Sequence, residues 1–403
     1  MPRGNMLIAQ SGGPSAVINQ SLVGAVMEAK KHADVGKIYG ARHGIMGILG
    51  EDFIDLRKET SATLENVAAT PSSALGSVRQ KPTADDCKAM FEIMRRYNVR
   101  YFFYIGGNDS AETAHIVNEE SERQGVELRC FHIPKTIDND LRANDHTPGF
   151  GSAAKFVALA LMGIDLDNRA LPGVHISVVM GRNAGFLTAA SALARTRPDD
   201  GPHLIYLPER AFSSAAFVRD VNAVYKRLGR CVVAVSEGIH DAKGVPMIAK
   251  FTNEQDSHGN VQLSGTGALG DLLVAEIKAK TKIKRVRSDT FGYLQRSFPT
   301  VVSEIDAREA RRVGEEAVRT AIDKNIDGSI AIVRKPGARY GVSFECVPLK
   351  NVARDTHEMP ASFINKKGND VTAAFVRYAA PIVGPLPKLT RLKSVSAARI
   401  AVG

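Results

Sequence analysis

The sequence predicts an α/β protein built on mostly parallel sheets, and three observations lead to this prediction. Short apolar runs alternate with segments whose apolar residues recur at helical spacing. Glycine-rich turns directly follow two of these runs. The chain has 403 residues, 44% of them hydrophobic, which is enough for roughly two or three domains with large cores. Such alternation is typical of a parallel sheet covered by helices on both faces, with ligands at the carboxyl ends of the strands.

The first part of the chain shows the alternation most clearly. Residues 6–9 are a predicted strand, 11–14 a glycine turn and 16–32 a helix. The elements expected next are a helix over 83–97, a strand over 101–105, a turn over 106–110, a helix from Ala111 and a strand over 128–133. Both glycine turns therefore lie between a strand and a helix.

A second unit is expected to begin near residues 148–151, where a small-residue helix over 153–162 follows. Its further predicted elements are strands over 175–180, 203–207, 231–236 and 283–286, a helix over 215–228, and a polar loop or hairpin over 253–264. A charged helix starts at about Ser303, and no pattern assigns the tail beyond it. Because no low-complexity linker separates the two units, we expect them to share an extended interface.

Composition excludes several classes of protein. The apolar fraction is normal and the four cysteines share no CxxC spacing, which argues against disorder, a disulfide scaffold and a zinc cluster. No apolar run approaches the ~18 residues of a membrane-spanning helix, and residues 1–5 lack a signal-peptide stretch. We therefore expect a reduced, cytoplasmic protein without a membrane partner.

The net charge favours anionic partners. The chain carries 53 Lys and Arg against 43 Asp and Glu, a formal charge of +10. Nucleic acid and phosphorylated metabolites both fit this charge. However, the chain has no Trp and only 6% aromatic residues, and its basic residues are dispersed through mixed-charge segments such as 307–319. We therefore expect no nucleic-acid partner.

The two glycine turns are candidate phosphate sites. At Gly12-Gly13 and Gly106-Gly107 the absence of side chains lets backbone N–H groups approach an anion, and the following helix adds its positive N-terminal end. A single turn of this kind is often only a tight connection. Two in one unit favour phosphate binding.

Two carboxylates, Asp138 and Asp140, come just past the predicted strand over 128–133. Side chains two residues apart point the same way in extended chain. One carboxylate could act as general base towards a hydroxyl, while the other could hold a divalent cation that screens phosphate. The alternative is a polar turn, in which Asp and Asn are common.

Polar residues also follow the later strands. Arg182 could clamp a phosphoryl group, and Glu237 could accept hydrogen bonds from sugar hydroxyls. Arg296 lies close to Tyr293. Surface salt bridges or plain packing are the alternatives for each. A GxGxxG sequence starts at Gly265, but the polar stretch before it does not fit the buried strand of a dinucleotide site, and no GxxxxGK[ST] occurs.

Eight motifs, in this order, resemble the phosphofructokinase family. They are Ser11-Gly12-Gly13, Leu75-Gly76-Ser77-Val78-Arg79, Gly106-Gly107-Asn108-Asp109-Ser110, Lys135-Thr136-Ile137-Asp138-Asn139-Asp140, Thr147-Pro148-Gly149-Phe150-Gly151, Met180-Gly181-Arg182, Glu237-Gly238 and Gly292-Tyr293-Leu294-Gln295-Arg296. The resemblance implies two Rossmann-like three-layer α/β/α lobes with mostly parallel sheets and a cleft between them. Residues 1–150 would form the donor lobe, completed by parts of 297–403. Residues 151–296 would bind the sugar phosphate, and the helices and tail of 297–403 would return to both lobes.

The resemblance also implies the activity. A magnesium-dependent homodimer or homotetramer would move a phosphoryl group from pyrophosphate to the 1-hydroxyl of fructose 6-phosphate in a reversible glycolytic step. ATP-dependent members usually have glycine where this chain has Asp109 and Lys135. At these two positions the chain therefore resembles the pyrophosphate-dependent branch of the family. The Asp109 carboxylate would repel the α-phosphate of ATP, and Lys135 would stabilise the transferring group. An ATP-dependent kinase of the same fold and a non-catalytic sugar-phosphate sensor remain alternatives.

The family's site residues carry over motif by motif. The implied catalytic residues are Asp109, Lys135, Arg182 and the general base Asp138, with Asp140 as a nearby acidic helper. The implied donor-binding residues are Gly12, Gly13, Arg79, Gly107, Asp109 and Lys135, with Lys81 also facing the donor. The implied substrate-binding residues are Thr136, Ile137, Asp138, Met180, Gly181, Arg182, Glu237, Tyr293 and Arg296.

The chain departs from the family pattern at two places. Asn108 stands where the family usually has a magnesium-associated aspartate, so the metal contact would run through the amide oxygen, through water or through Asp109. Where the family has a basic residue shortly before Met-Gly-Arg, this chain has Gly173, and Arg287 is the candidate replacement.

Overall fold

The computed structural model describes residues 3–250, 267–337, 339–353, 356–392 and 396–397. Its strands are β1 (Gly4–Gln10), β2 (Val35–Ala41), β3 (Phe53–Asp55), β4 (Val99–Gly106), β5 (Arg129–Pro134), β6 (Val174–Val179), β7 (Leu204–Tyr206), β8 (Cys231–Ser236), β9 (Val286–Thr290), β10 (Gly328–Arg334) and β11 (Val342–Val347). Its α-helices are α1 (Ile18–Ala29), α2 (Ile45–Leu49), α3 (Ser61–Ala68), α4 (Ala84–Arg96), α5 (Asn108–Arg123), α6 (Phe150–Ala170), α7 (Phe186–Ala189), α8 (Ser214–Leu228), α9 (Ala268–Lys280), α10 (Glu304–Asp323) and α11 (Ala373–Val383).

The first lobe is built on a seven-stranded sheet in the order β11-β10-β5-β4-β1-β2-β3. The strands from β10 to β2 run parallel, while β11 and β3 add antiparallel edges. Side chains of β1 alternate between the faces: Met6 and Ile8 pack with α1 and α10, and Leu7 and Ala9 pack with α4 and α5. Helices therefore cover both faces of this sheet, as expected for parallel strands.

The second lobe contains a four-stranded parallel sheet in the order β7-β8-β6-β9. Its central strand β8 is buried at every position. Helices α8 and α9 pack on one face, while α6 and α11 pack on the other. Two three-layer α/β/α lobes result, so the predicted fold class is confirmed.

Individual elements differ from the predictions in ways that matter for the site. The helix expected from Ala111 begins at Asn108. Gly107 directly after β4 is still extended and is the N-cap residue, so no further loop separates the strand from the helix. The strand expected over 283–286 instead begins at Val286 and runs through polar residues to Thr290. It forms the sheet edge, where exposed and buried positions alternate and no continuous apolar run is needed.

Two sequence-level expectations fall partly beyond the described residues. The polar loop over 253–264 and the first glycine of the GxGxxG motif lie outside them; α9 begins just after that motif's second glycine, Gly267. All four cysteines are unpaired. Among the described helices, none combines the length and the apolar character that crossing a membrane requires.

Candidate active site

A cavity of about 280 Å³ lies where strands of both sheets end. Lining residues directly follow the carboxyl ends of β1, β5, β6 and β8, the edge at which parallel sheets bind ligands. The sequence-predicted residues that line it are Gly12, Gly13, Arg79, Lys81, Gly107, Asn108, Asp109, Lys135, Thr136, Ile137, Asp138, Asp140, Met180, Arg182, Glu237 and Arg296. Gly181 and Tyr293 do not line it. The folded chain therefore gathers motifs that are far apart in the sequence.

The first glycine turn is held against the segment that carries Arg79. The N–H of Gly12 donates to the Val78 carbonyl at 3.0 Å, and the Ser77 hydroxyl donates to the Gly12 carbonyl at 2.5 Å. Gly12 has a φ of +74°, and a Cβ at this position would lie 3.2 Å from the Lys135 Nζ. The left-handed φ therefore favours glycine here, and a Cβ would also press on the Lys135 ammonium.

The second glycine turn starts a helix within the cavity. Because α5 begins at Asn108, both Asn108 and Asp109 lie in its first turn, beside the positive end of the helix dipole. The Asp109 carboxylate pairs with the Lys81 ammonium at 3.1 Å, and Lys81 also pairs with Glu112 at 2.7 Å. Asp109 thus adds negative charge at the cavity wall.

Lys135 is the buried cation of the site, with only 3% of its surface exposed. Its ammonium donates to the Gly13 carbonyl at 2.5 Å. Burial lowers the pKa of Lys135 to about 7, and the positive charges of Arg296 and Arg79 contribute to the lowering. An anionic ligand bound among these three cations would relieve their mutual repulsion.

The two carboxylates, Asp138 and Asp140, both line the cavity, although the backbone is not extended as the spacing argument assumed. Asn139 between them has a left-handed φ of +60°. Asp140 accepts hydrogen bonds from Thr136 Oγ1 at 3.4 Å and from Asn108 Nδ2 at 3.1 Å. Burial raises the pKa of Asp138, and burial together with the charge of Asp138 raises the pKa of Asp140 to about 7.

The motif at 180–182 is fixed by tight backbone contacts in the second lobe. Gly181 has a φ of +137°, and its carbonyl accepts a hydrogen bond from the Ser236 hydroxyl at 2.5 Å. The N–H of Met180 donates to Gln295 Oε1 at 3.3 Å, which joins this motif to the turn carrying Arg296. Gly181 therefore shapes the backbone behind the cavity wall.

Tyr293 lies next to the cavity by packing on Arg296, which lines it. The Arg296 guanidinium lies 4.6 Å from the centre of the Tyr293 ring, a cation–π contact. Burial and the charge of Arg79 lower the pKa of Arg296. The Tyr293 side chain is 53% exposed and lies outside the cavity lining. Arg287 also lies outside the cavity lining, and its guanidinium donates a hydrogen bond to the Val286 carbonyl at 3.1 Å.

Several lining residues were missed by the sequence reasoning. They are Pro14, Gln80, Tyr104, Thr113 and Asn183, while Ser11, Val78 and Ser110 belong to the quoted motifs but were assigned no role. Placing the start of α5 at Asn108 would have revealed Thr113, because it lies four residues after Asp109 and donates to the Asp109 carbonyl at 2.9 Å. Asn183 directly follows the Met-Gly-Arg motif. Tyr104 lies in an apolar strand and carries no such signal.

Asn108 is the side chain best suited to contact a metal ion. Its Oδ1 is buried and has no hydrogen-bond partner within the described residues. The same part of the chain contains no cluster of three His, Cys, Asp or Glu side chains that would enclose a metal. The Nδ2 of the Asn108 amide donates to the Asp140 carboxylate at 3.1 Å and so orients the amide. Its oxygen fits a hard cation that takes most of its ligands from water and phosphate.

Comparison with known proteins agrees with this geometry. Residues 5–321 match the family described as Phosphofructokinase. The chain is 57% identical to the pyrophosphate--fructose 6-phosphate 1-phosphotransferase of Rhodospirillum rubrum, with 99% of each chain covered. The enzyme of the same name from Xanthomonas campestris is 41% identical, with 99% of this chain and 98% of the relative covered. The crystal structure of the pyrophosphate-dependent phosphofructokinase from Nitrosospira multiformis superposes with a TM-score of 0.85 at 31% identity, covering 98% of this chain and 95% of that one.

Proposed function

The chain belongs to the phosphofructokinase family, and from that premise we propose that it transfers a phosphoryl group from pyrophosphate to the 1-hydroxyl of fructose 6-phosphate. The products are fructose 1,6-bisphosphate and orthophosphate, and the glycolytic step is reversible. One observation carries the proposal: a single cavity places Gly12 and Arg79 of the first lobe and Arg182 and Glu237 of the second around Asp138. Donor and acceptor can then meet at one carboxylate.

Pyrophosphate would bind at the first lobe. The backbone N–H groups of Gly13 and Gly107, at turns that precede helices, would offer hydrogen bonds to phosphate oxygens. Gly12 donates its own N–H to the Val78 carbonyl and would instead leave room for the donor beside them. Arg79 and Lys135 would add positive charge. Support comes from the three positive groups gathered here: burial first, and then the charges of Arg296 and Arg79, lower the pKa of Lys135, and a bound anion would offset the repulsion among the three.

Fructose 6-phosphate would bind at the second lobe. Its implied contacts are Thr136, Ile137, Asp138, Met180, Gly181, Arg182, Glu237, Tyr293 and Arg296. Glu237 is 7% exposed, so its carboxylate suits an acceptor for sugar hydroxyls. The position of Tyr293 on Arg296 supports a role in holding that guanidinium for the sugar phosphate.

The transfer needs one proton acceptor and several positive groups. Asp138 would accept the proton of the sugar 1-hydroxyl while the hydroxyl oxygen forms a bond to a phosphorus atom of pyrophosphate. The bond from that phosphorus to the bridging oxygen breaks, and orthophosphate leaves. Lys135 and Arg182 would stabilise the charge on the transferring group, while Asp109 would exclude the longer ATP.

Mg²⁺ is the cofactor that we propose for this site. Asn108, through its unpartnered Oδ1, would contact the ion directly or through water, and Asp140 would share this role. When bound, Mg²⁺ screens the negative charge of the pyrophosphate oxygens. With only Asn108 and Asp140 as protein contacts, the remaining ligands of the ion would come from pyrophosphate and water.

The remaining organisation is inferred from the family. We propose that residues 1–150 bind the donor and residues 151–296 bind the sugar, and that 297–403 return to both lobes. Support comes from β10, which pairs with β5 in the first sheet, and from α11, which packs on α6 in the second lobe. A cytoplasmic location agrees with the four unpaired cysteines and the metabolite substrates. The homodimer or homotetramer is proposed from the family resemblance alone.

The donor is tested by product formation from fructose 6-phosphate and Mg²⁺ with pyrophosphate or ATP at equal concentrations. We expect turnover with pyrophosphate and none with ATP. Turnover with ATP alone would overturn the assigned effect of Asp109 and Lys135, and no turnover with either donor would support a sugar-phosphate sensor.

Pyrophosphate binding should take up protons through Lys135. With a pKa of about 7 in the free protein, roughly nine-tenths of Lys135 is neutral at pH 8, and a bound anion favours the charged form. Affinity should therefore weaken as pH rises above 7. Calorimetry at pH 8 in buffers of different ionisation enthalpy measures the uptake.

The matched variant for this measurement is Lys135→Met, which keeps the size of the side chain but cannot take up a proton. Its uptake should be smaller than that of the wild type by most of one proton. Equal uptake in the two proteins would show that other groups, or pyrophosphate itself, account for the protons.

A further inference from the structure

A chain of hydrogen bonds joins the turn between the two cavity carboxylates to the C-terminal helix α11. Asn139, which is 2% exposed, donates from Nδ2 to the Tyr378 hydroxyl oxygen at 2.8 Å. Tyr378 lies on α11 and donates in turn to the Asp145 carbonyl at 2.6 Å. The Asn139 Oδ1 accepts the Thr147 N–H at 3.0 Å. Both ends of the Asn139 amide are therefore held.

These hydrogen bonds hold Asn139, and the backbone conformation of Asn139 determines how the Asp138 side chain is oriented. The φ of +60° at Asn139 is a left-handed conformation that Asn tolerates better than other residues with a Cβ, and the two side-chain hydrogen bonds hold the residue in it. A change of φ here would rotate the carboxylate of Asp138 relative to the cavity. The hydrogen bond that Asn139 donates to Tyr378 thus bears on the geometry of Asp138, although Tyr378 does not line the cavity.

The C-terminal segment supports the same turn at a second point. The N–H of His357 donates to the Asp140 carbonyl at 2.6 Å. The family match ends at residue 321, so both His357 and Tyr378 come from beyond the matched region. Tyr378 is itself fixed by Arg334, whose guanidinium lies 4.7 Å from its ring centre and pairs with Asp145 at 3.0 Å.

We propose that Tyr378 is a positioning residue for phosphoryl transfer, which acts by holding Asn139 and thereby aiming the carboxylate of Asp138. The proposal rests on the proposed function in taking Asp138 as the base. Small displacements of a reacting group reduce turnover more than they reduce binding, because binding contacts tolerate them better. Loss of this bond should therefore lower kcat and leave KM nearly unchanged.

The test uses Tyr378→Phe, which keeps the ring and removes only the hydroxyl. We expect kcat to fall about tenfold, with both KM values within about twofold of wild type. The matched control is Tyr340→Phe. Tyr340 belongs to the same buried network, since its hydroxyl donates to Glu309 at 2.7 Å and its ring lies 5.1 Å from the Arg334 guanidinium, but it does not contact Asn139. Its loss should leave kcat unchanged.

A double-variant cycle identifies the route of the effect. Asn139→Gly permits the left-handed conformation but removes the amide, so adding Tyr378→Phe to it should change kcat by less than about twofold. Wild-type kcat in Tyr378→Phe, an equal loss in Tyr340→Phe, or additive losses in the double variant would each overturn the proposal.

Amide hydrogen exchange tests the same contact without turnover. In Tyr378→Phe, exchange across residues 138–147 should be faster than in wild type, while Tyr340→Phe should leave this segment unchanged. Unchanged exchange in Tyr378→Phe would contradict the positioning role. This conclusion does not depend on which phosphoryl donor the wild type uses, because exchange is measured without turnover. If the wild type does not turn over with pyrophosphate but exchange changes as expected, the proposed function fails, while the support of the Asn139 turn by Tyr378 stands.

Discussion

Replacing Asp138 by Ala should lower kcat by about 10²-fold or more, with KM for fructose 6-phosphate much less changed. The carboxylate lies in the cavity where both lobes meet, and burial raises its pKa above the usual aspartate value, which makes it a stronger base. Without it, the 1-hydroxyl has to lose its proton to solvent while it attacks. Steady-state kinetics with pyrophosphate as donor measures the loss.

Two further variants separate this chemistry from a change in shape. Asp138→Asn keeps the size of the side chain and should be as slow as Asp138→Ala. Asp52→Asn removes a carboxylate outside the cavity lining, in an exposed pair with Arg42, and should retain wild-type kcat. Near-normal turnover in Asp138→Asn would contradict the assignment of Asp138 as base.

The pH dependence of kcat should also report on Asp138. A protonated Asp138 cannot accept a proton, so wild-type kcat should fall as pH decreases through its pKa. Because burial raises that pKa, the loss should begin at a higher pH than for an exposed aspartate. This acidic limb should be absent from the residual activity of Asp138→Asn.

Much of the fold could be predicted because its central strands are buried on both faces. β4 and β8 are therefore nearly continuous apolar runs, which are visible without knowledge of their partners. The polar edge strand β9 and the glycine-containing β2 lack such runs. β10 was not assigned although Ile330 to Val333 form a short apolar run. Its place beside β5, as in the pairing of Ser329 with His132, could not be inferred because no local pattern relates residues that far apart.

The residues of the site were easier to predict than their geometry. The motifs indicated which polar groups follow each strand, and the cavity contains most of them. The left-handed backbone of Asn139 could not be inferred, since Asn is equally common in ordinary turns. Its contact with Tyr378 joins residues that no local pattern relates. Likewise, the pairing of Lys81 with Asp109 depends on where α5 begins.

Donor choice should change when Asp109 and Lys135 are both replaced by glycine. The carboxylate of Asp109 lines the cavity on the first turn of α5, and the ammonium of Lys135 lies over the Gly12-Gly13 turn. Removing both opens space and removes the charge that would repel the α-phosphate of ATP. We expect ATP binding and ATP-dependent turnover to appear, and kcat/KM for pyrophosphate to fall about 10²-fold or more.

The control for this double variant is Glu112→Gln. Glu112 is the second partner of Lys81 on the same helix but does not line the cavity, so its replacement should leave the donor preference unchanged. Calorimetric titration with ATP separates binding from turnover, and circular dichroism confirms that the double variant is folded. A folded double variant that neither binds nor uses ATP would contradict the argument, because neither the carboxylate nor the ammonium would then be what excludes the longer donor.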